Sequence, residues 1–171
     1  NQLRNWNINF VHGDILDTNL IQNYLKDADI VHHLAGITDV PRVKSEINEA
    51  NDSKIKLVGE TGTQNILDAI SNKCKIILPS THVVYEGIEK VKNDILENEE
   101  TKPTLTYSTS KAINEKQLKN SGKNYIILRL GSVYGYSSDT ARIDIMPNLF
   151  SKIASQNGTL KLFSGGRQIK S

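Results

Sequence analysis

Lys75-Ile76-Ile77-Leu78-Pro79-Ser80-Thr81 decides the fold. Its apolar run shows no polar alternation, so as a strand it has no face to give to water. Strands of that kind belong to parallel sheets covered by helices, because the crossover connections lay helices on the sheet. Reading outward, the pattern alternates. Upstream, Ser53 to Ser71 has helical periodicity, Asp29 to Ala35 reads as a strand broken by His32 and His33, and Asp17 to Lys26 as a short helix capped by Asp17 or Thr18. Ile8 to Val11 reads as the first strand. Downstream come a helix over Tyr107 to Lys119, a strand over Tyr125 to Leu130, a helix over Ile145 to Gln156 and a short strand over Leu160 to Phe163. Strand and helix in alternation predict an α/β fold with a parallel sheet. No internal repeat, low-complexity segment or linker interrupts the pattern.

The bulk numbers narrow the function. At 171 residues the chain fits one domain, and 37% hydrophobic with 23% charged residues describes a soluble globular protein. No apolar run reaches the roughly 18 residues of a membrane span, and Asn1 to Asn9 lack a signal-peptide core. A net charge of +2 with interspersed signs offers no basic stripe for nucleic acid. The lone Cys74 suits a reducing compartment, so a cytoplasmic protein without membrane or nucleic-acid partners is expected. The four His and one Cys have no metal-ligand spacing, and no metal is expected.

Ligands of parallel sheets lie beyond the carboxyl ends of the strands. Ser80 and Thr81 stand there, where a hydroxyl can polarise a substrate oxygen or simply cap the strand end as a Ser-Thr turn. Tyr107 and Lys111 are four apart and share one helix face. Lowering a phenol from a pKa of about 10 to about 7 takes roughly 4 kcal/mol, which one cation at about 4 Å supplies at an effective dielectric near 20. That makes Tyr107 a candidate general base, although such a pair alone arises readily by chance. His33-Leu34-Ala35-Gly36 also ends a strand, with small residues that admit a flat ligand or pack tightly on a helix. Gly59 and Gly62 interrupt a helix at about 1 kcal/mol each and mark close approach by a strand or ligand. Asp14 either accepts a hydrogen bond from a ligand amine or caps the next helix. Arg129 to Gly135 is a strand followed by a glycine-punctuated loop, a usual place for a lid or a substrate contact.

In this order the segments resemble the extended short-chain dehydrogenase/reductase family, specifically its nucleotide-sugar epimerases and dehydratases. Asp14 matches the acid after the third strand, which contacts adenine. His33-Leu34-Ala35-Gly36 is similar to the family's cofactor-lining His-Leu-Ala-Ala turn. Gly62-Thr63 with Asn65-Ile66-Leu67 resembles its Gly-Thr-x-Asn-Leu-Leu helix. Ser80-Thr81 with Val84-Tyr85 is similar to Ser-Ser-x-x-Val-Tyr-Gly, Tyr107 and Lys111 to Tyr-x-x-x-Lys, and Arg129 to Gly135 to Arg-x-x-x-Val-Tyr-Gly. Leu162-Phe163-Ser164-Gly165-Gly166 resembles a strand and turn of the substrate region.

The resemblance implies a Rossmann-like doubly wound parallel sheet, NAD or NADP as cofactor and a nucleotide sugar as substrate. It assigns catalysis to Thr81, Tyr107 and Lys111. Cofactor contacts fall to Asp14, Leu34, Ala35, Gly36, Ser80, Tyr107 and Lys111, and substrate contacts to Thr81, His82 and Ser132. A homodimer stays open. Residues 1–171 then form a partial dinucleotide-binding domain, with the substrate-binding region starting at about 132. The first β-α-β unit, with its glycine loop, and most of the C-terminal substrate domain are lacking, as in an internal fragment. Three departures from the family pattern stand out. Gly59 replaces an Asn, His82 and Val83 replace the acids that follow Thr in 4,6-dehydratases, and Glu86 displaces a Gly. The competing expectation is a non-catalytic Rossmann-fold module that binds a ligand or a protein.

Overall fold

A computed structural model describes residues 6–38, 49–136, 143 and 145–167. Helix α1, Thr18–Leu25, starts where Asp17 accepts a hydrogen bond from the Leu20 amide at 3.0 Å, as its N-cap position demands. Strand β1, Ile30–His32, is followed by helix α2, Glu49–Lys56, which runs through a π-helical turn, Leu57–Thr61, into α3, Gly62–Ala69. Strand β2, Lys75–Thr81, is followed by a 3₁₀ turn, His82–Tyr85. Helix α4 is Thr106–Asn120, β3 is Asn124–Leu130, α5 is Met146–Ser155, and a last 3₁₀ turn is Phe163–Gly166.

The three strands form a parallel sheet in the order β1-β2-β3, with Val31 beside Ile76 and Ile76 beside Tyr125. Helices α3 and α4 both lie on one face. Ile66, Leu67, Ile70 and Leu118 close with Val31, Ile76 and Leu78 into a core in which Ile76, Leu78 and Leu118 have no exposure. Cys74 is buried in the same cluster, an inert packed thiol whose pKa burial pushes up. On the other face, Ile126, Leu128 and Leu130 stay 40 to 42% exposed. The apolar run at Lys75–Leu78 therefore marks a central strand, but the described helices cover it from one side only.

Two expected strands are corrected. Ile8 to Val11 makes no ladder, and Ile8, Phe10 and Val11 remain exposed. In a doubly wound sheet of order 3-2-1-4-5-6 two strands stand between the strand preceding this crossover and β1, so direct pairing with β1 is not its geometry. Leu160 to Phe163 is likewise no strand: residues 160–162 are irregular and Phe163 opens the 3₁₀ turn, where Gly165 and Gly166 adopt φ of +68° and +72°. Asp29 to Ala35 shortens to Ile30–His32, although His33 N still donates to Ile77 O at 2.9 Å.

The helical glycines do mark close approach, but by a helix and a loop. A Cβ on Gly59 would collide with Ser110 Oγ of α4, and one on Gly62 would come within 2.9 Å of Ile15 Cγ2. The π turn widens the helix at Gly59, where Thr63 Oγ donates to the Gly59 carbonyl at 2.6 Å.

Candidate functional site

Beyond the carboxyl ends of β1, β2 and β3 lies an open cleft of about 510 Å³. Thr81, His82, Tyr107, Lys111 and Ser132 all line it, together with Ser80 and Leu34. A second hollow of about 330 Å³, between α1 and β1, is lined by Asp14 and Ala35 and shares His33 and Leu34 with the first. The two therefore meet along the end of β1. Gly36 borders neither hollow, and open space surrounds the place where its Cβ would stand, so it is not a tight helix-packing glycine.

Tyr107 sits in the first turn of α4, and Lys111 one turn on. Lys111 Nζ donates to the Pro79 carbonyl of β2 at 3.0 Å, and burial lowers its pKa. Thr81 Oγ accepts from the Val83 amide at 3.3 Å, closing a Ser-Thr turn at the strand end. That bond uses a lone pair and leaves the hydroxyl proton to give, so the turn and a substrate contact coexist. Ser80 behaves differently. Its hydroxyl donates inward to Glu115 Oε1 at 2.6 Å, and the residue is 5% exposed. Asp14 Oδ1 accepts from the Leu16 amide at 2.9 Å, so the turn-capping role is real, while the residue still lines the second hollow. His82 Nδ1 lies 3.1 Å from the Leu130 carbonyl. A carbonyl only accepts, so Nδ1 carries the proton and Nε2 is left as the ring's other polar atom.

Three residues that sequence reasoning did not assign organise this cleft. Glu86, read only as a departure, caps α4 from outside the helix. Its Oε1 accepts from the Thr104 and Leu105 amides at 2.8 and 2.7 Å and from the Ser108 hydroxyl. Burial pushes its carboxyl up, but these donors outweigh burial and the net pKa is lowered. Glu115 bonds Ser80 and Arg129; its spacing of four from Lys111 was the available signal. Thr63 holds His33, with Nε2 at 2.8 Å from its Oγ. Since Thr63 spends its proton on Gly59 O, His33 must donate from Nε2, which leaves Nδ1 a buried acceptor without a protein partner.

Burial, reinforced by the Lys111 charge, lowers the His33 pKa to about 4. A histidine kept neutral in the fold binds fewer protons than the unfolded chain between pH 4 and 6.5. Stability is then full above the unfolded pKa and falls as pH drops toward 4, by about 3 kcal/mol. Chemical denaturation of the chain at pH 7 and pH 4.5 should show this loss, and His33→Asn should remove that part of the slope.

The chain as a whole is similar to known proteins. The family model for the NAD dependent epimerase/dehydratase family matches residues 1–170. CDP-paratose 2-epimerase of Salmonella typhi is 32% identical over 154 residues, covering 75% of this chain and 44% of that protein. The dTDP-glucose 4,6-dehydratase of Streptomyces venezuelae, solved with NAD bound, superposes with a TM-score of 0.73 at 25% identity, over 95% of this chain and 49% of that one. UDP-glucuronic acid 4-epimerase of Bacillus cereus, solved with UDP-glucuronic acid and NAD, gives 0.72 at 26% identity, over 97% and 52%. The chain thus spans about half the length of these relatives.

Proposed function

The chain belongs to the NAD dependent epimerase/dehydratase family, and on that premise we propose that it is the catalytic core of an NAD(P)-dependent oxidoreductase acting on a nucleotide sugar. The observation that carries this reading is convergence: Thr81 at the end of β2 and the Tyr107 and Lys111 pair on α4 line one cleft. That cleft shares His33 and Leu34 with a second hollow, so the two border one another.

The residues present fit part of a dinucleotide. Asp14 and Ala35 line the hollow suited to adenine, Leu34 walls the passage, and Lys111 stands where a ribose hydroxyl can be held. Gly36 leaves its backbone open to approach. Ser80 contributes through its main chain and its neighbours, because its hydroxyl faces Glu115. When bound, NAD(P) supplies the hydride acceptor. Tyr107 takes the proton of the sugar hydroxyl, Lys111 favours the phenolate and Thr81 donates a hydrogen bond to the same oxygen. His82 and Ser132 line the substrate side. His82 and Val83 stand where 4,6-dehydratases carry acids, and the only carboxylate lining the cleft among the described residues, Glu86, is engaged in capping α4. This weighs toward epimerisation. The buried free thiol of Cys74 suits a cytoplasmic site of action, and no described helix is long and apolar enough to cross a membrane.

The test is incubation of the full-length polypeptide with NAD or NADP and a panel of UDP-, dTDP- and CDP-sugars, followed by NMR of the products. An epimerised sugar is expected. A 4-keto-6-deoxy sugar would overturn the epimerase assignment, and absence of both dinucleotide binding and turnover would overturn the enzyme reading itself.

A further inference from the structure

Tyr107, Lys111 and Glu115 form one stripe along α4, each a turn beyond the last. Glu115 is 2% exposed, and its carboxylate is saturated. Oε1 accepts from Ser80 Oγ at 2.6 Å and Arg129 Nε at 3.0 Å, and Oε2 accepts from Arg129 Nη2 at 2.6 Å. Ser80 and Arg129 are register partners in β2 and β3. One carboxylate on the helix is therefore tied to both strands, one residue before each strand delivers its chain into the cleft. Arg129 continues outward: Nη1 donates to the Tyr85 hydroxyl and to the Glu97 carbonyl, and its guanidinium lies 5.1 Å from the centre of the Tyr85 ring. The network spans α4, β2, β3, the 3₁₀ turn after Thr81 and residue 97.

A buried ion pair is a poor way to gain stability, since apolar side chains of equal volume commonly match or exceed it. What directional bonds add to interdigitated apolar packing is a further constraint on axial register. The bonds from Glu115 to Ser80 and Arg129 resist sliding of α4 along the strand ends, in addition to the Lys111 bond to the Pro79 carbonyl. Tyr107 is on the helix and Thr81 on the strand, so such sliding changes the distance between the two groups that act on one substrate oxygen.

We propose that Glu115 is a positioning residue, which through Ser80 and Arg129 locks α4 against β2 and β3 so that Tyr107 and Lys111 face Thr81. The inference rests on the oxidoreductase reading. Its failure is separable from failure of that reading, because Tyr107→Phe tests the reading alone: a Tyr107→Phe enzyme with undiminished turnover sinks the reading, whatever Glu115 does.

The decisive variants are made in the full-length polypeptide. Glu115→Gln should lower kcat by about 100-fold, the scale of a misplacement near 1 Å, with KM changed by less than about threefold. The double variant Glu115→Met with Arg129→Met should recover or exceed the wild-type Tm while kcat stays low. Recovery of kcat together with Tm would overturn the proposal, since it would reduce the pair to packing. Should the double variant not fold, Ser80→Ala serves instead, as it cuts only the link to β2. It should lower Tm by several degrees, as the loss of one hydrogen bond to a buried carboxylate does, and reduce kcat, measured well below that Tm, by about tenfold. Wild-type kcat in Ser80→Ala or in Glu115→Gln overturns the proposal. Without any dinucleotide, the amide resonances of Thr81 and Tyr107 should move in both variants, and unmoved resonances at both would also overturn it.

Discussion

Tyr107→Phe in the full-length polypeptide is expected to reduce turnover by about 10³-fold or more, within the span attributed to a single general acid–base group. That corresponds to about 4 kcal/mol of lost transition-state stabilisation. Phenylalanine keeps the ring in the first turn of α4 and removes only the hydroxyl, so the cleft, its lining and the helix cap from Glu86 persist. Dinucleotide affinity, read by calorimetry, should stay within about threefold, because the phenolic proton matters in the transition state and little to ground-state binding. A matching loss of affinity and rate would make Tyr107 a binding residue.

Lys111→Met should lose both. The substitution keeps an unbranched side chain but removes the cation beside Tyr107 and the donor to the Pro79 carbonyl. Turnover should fall by about 10³-fold, since a phenol no longer has a neighbouring charge to favour its ionised form. Dinucleotide binding should weaken about tenfold, the worth of one charge-assisted hydrogen bond to a ribose hydroxyl. Steady-state kinetics and calorimetry on the same preparation separate the two effects. Loss of affinity with unchanged turnover at saturation would remove Lys111 from the chemistry.

The legible parts of this fold are those with local causes. Asp17 as a helix cap, the helix on Tyr107 to Lys119 and the strand on Tyr125 to Leu130 follow from residues within a few positions of one another, and each is present to within two residues. The cleft was legible because the strand ends of a parallel sheet converge on one edge, which brings Thr81 to Tyr107 and Lys111. Failures came where a remote partner decides. Ile8 to Val11 and Leu160 to Phe163 are apolar enough for strands, but a strand exists only with a ladder neighbour, and pattern does not provide one. By pattern the Ser80 hydroxyl serves either a ligand or a Ser-Thr turn, whereas in the fold it turns to Glu115, 35 positions away. Glu86 looked like an anomaly in a motif until the amides of Thr104 and Leu105 were seen upon it. Polar partners reached through the fold leave no periodicity behind.

The parallel pairing of β2 with both neighbours also sets how the chain must fold. Ile30 meets Lys75, and Lys75 meets Asn124, so neither pairing forms as a local hairpin. Each waits for a crossover that contains a whole helix to come round, and the loop-closure entropy is spent before the contacts return anything. Until then Ile76, Ile77 and Leu78 are an uncovered apolar β-former with two open edges. The segment that completes the core last in space is thus the one most able to pair with another copy of itself during synthesis or refolding.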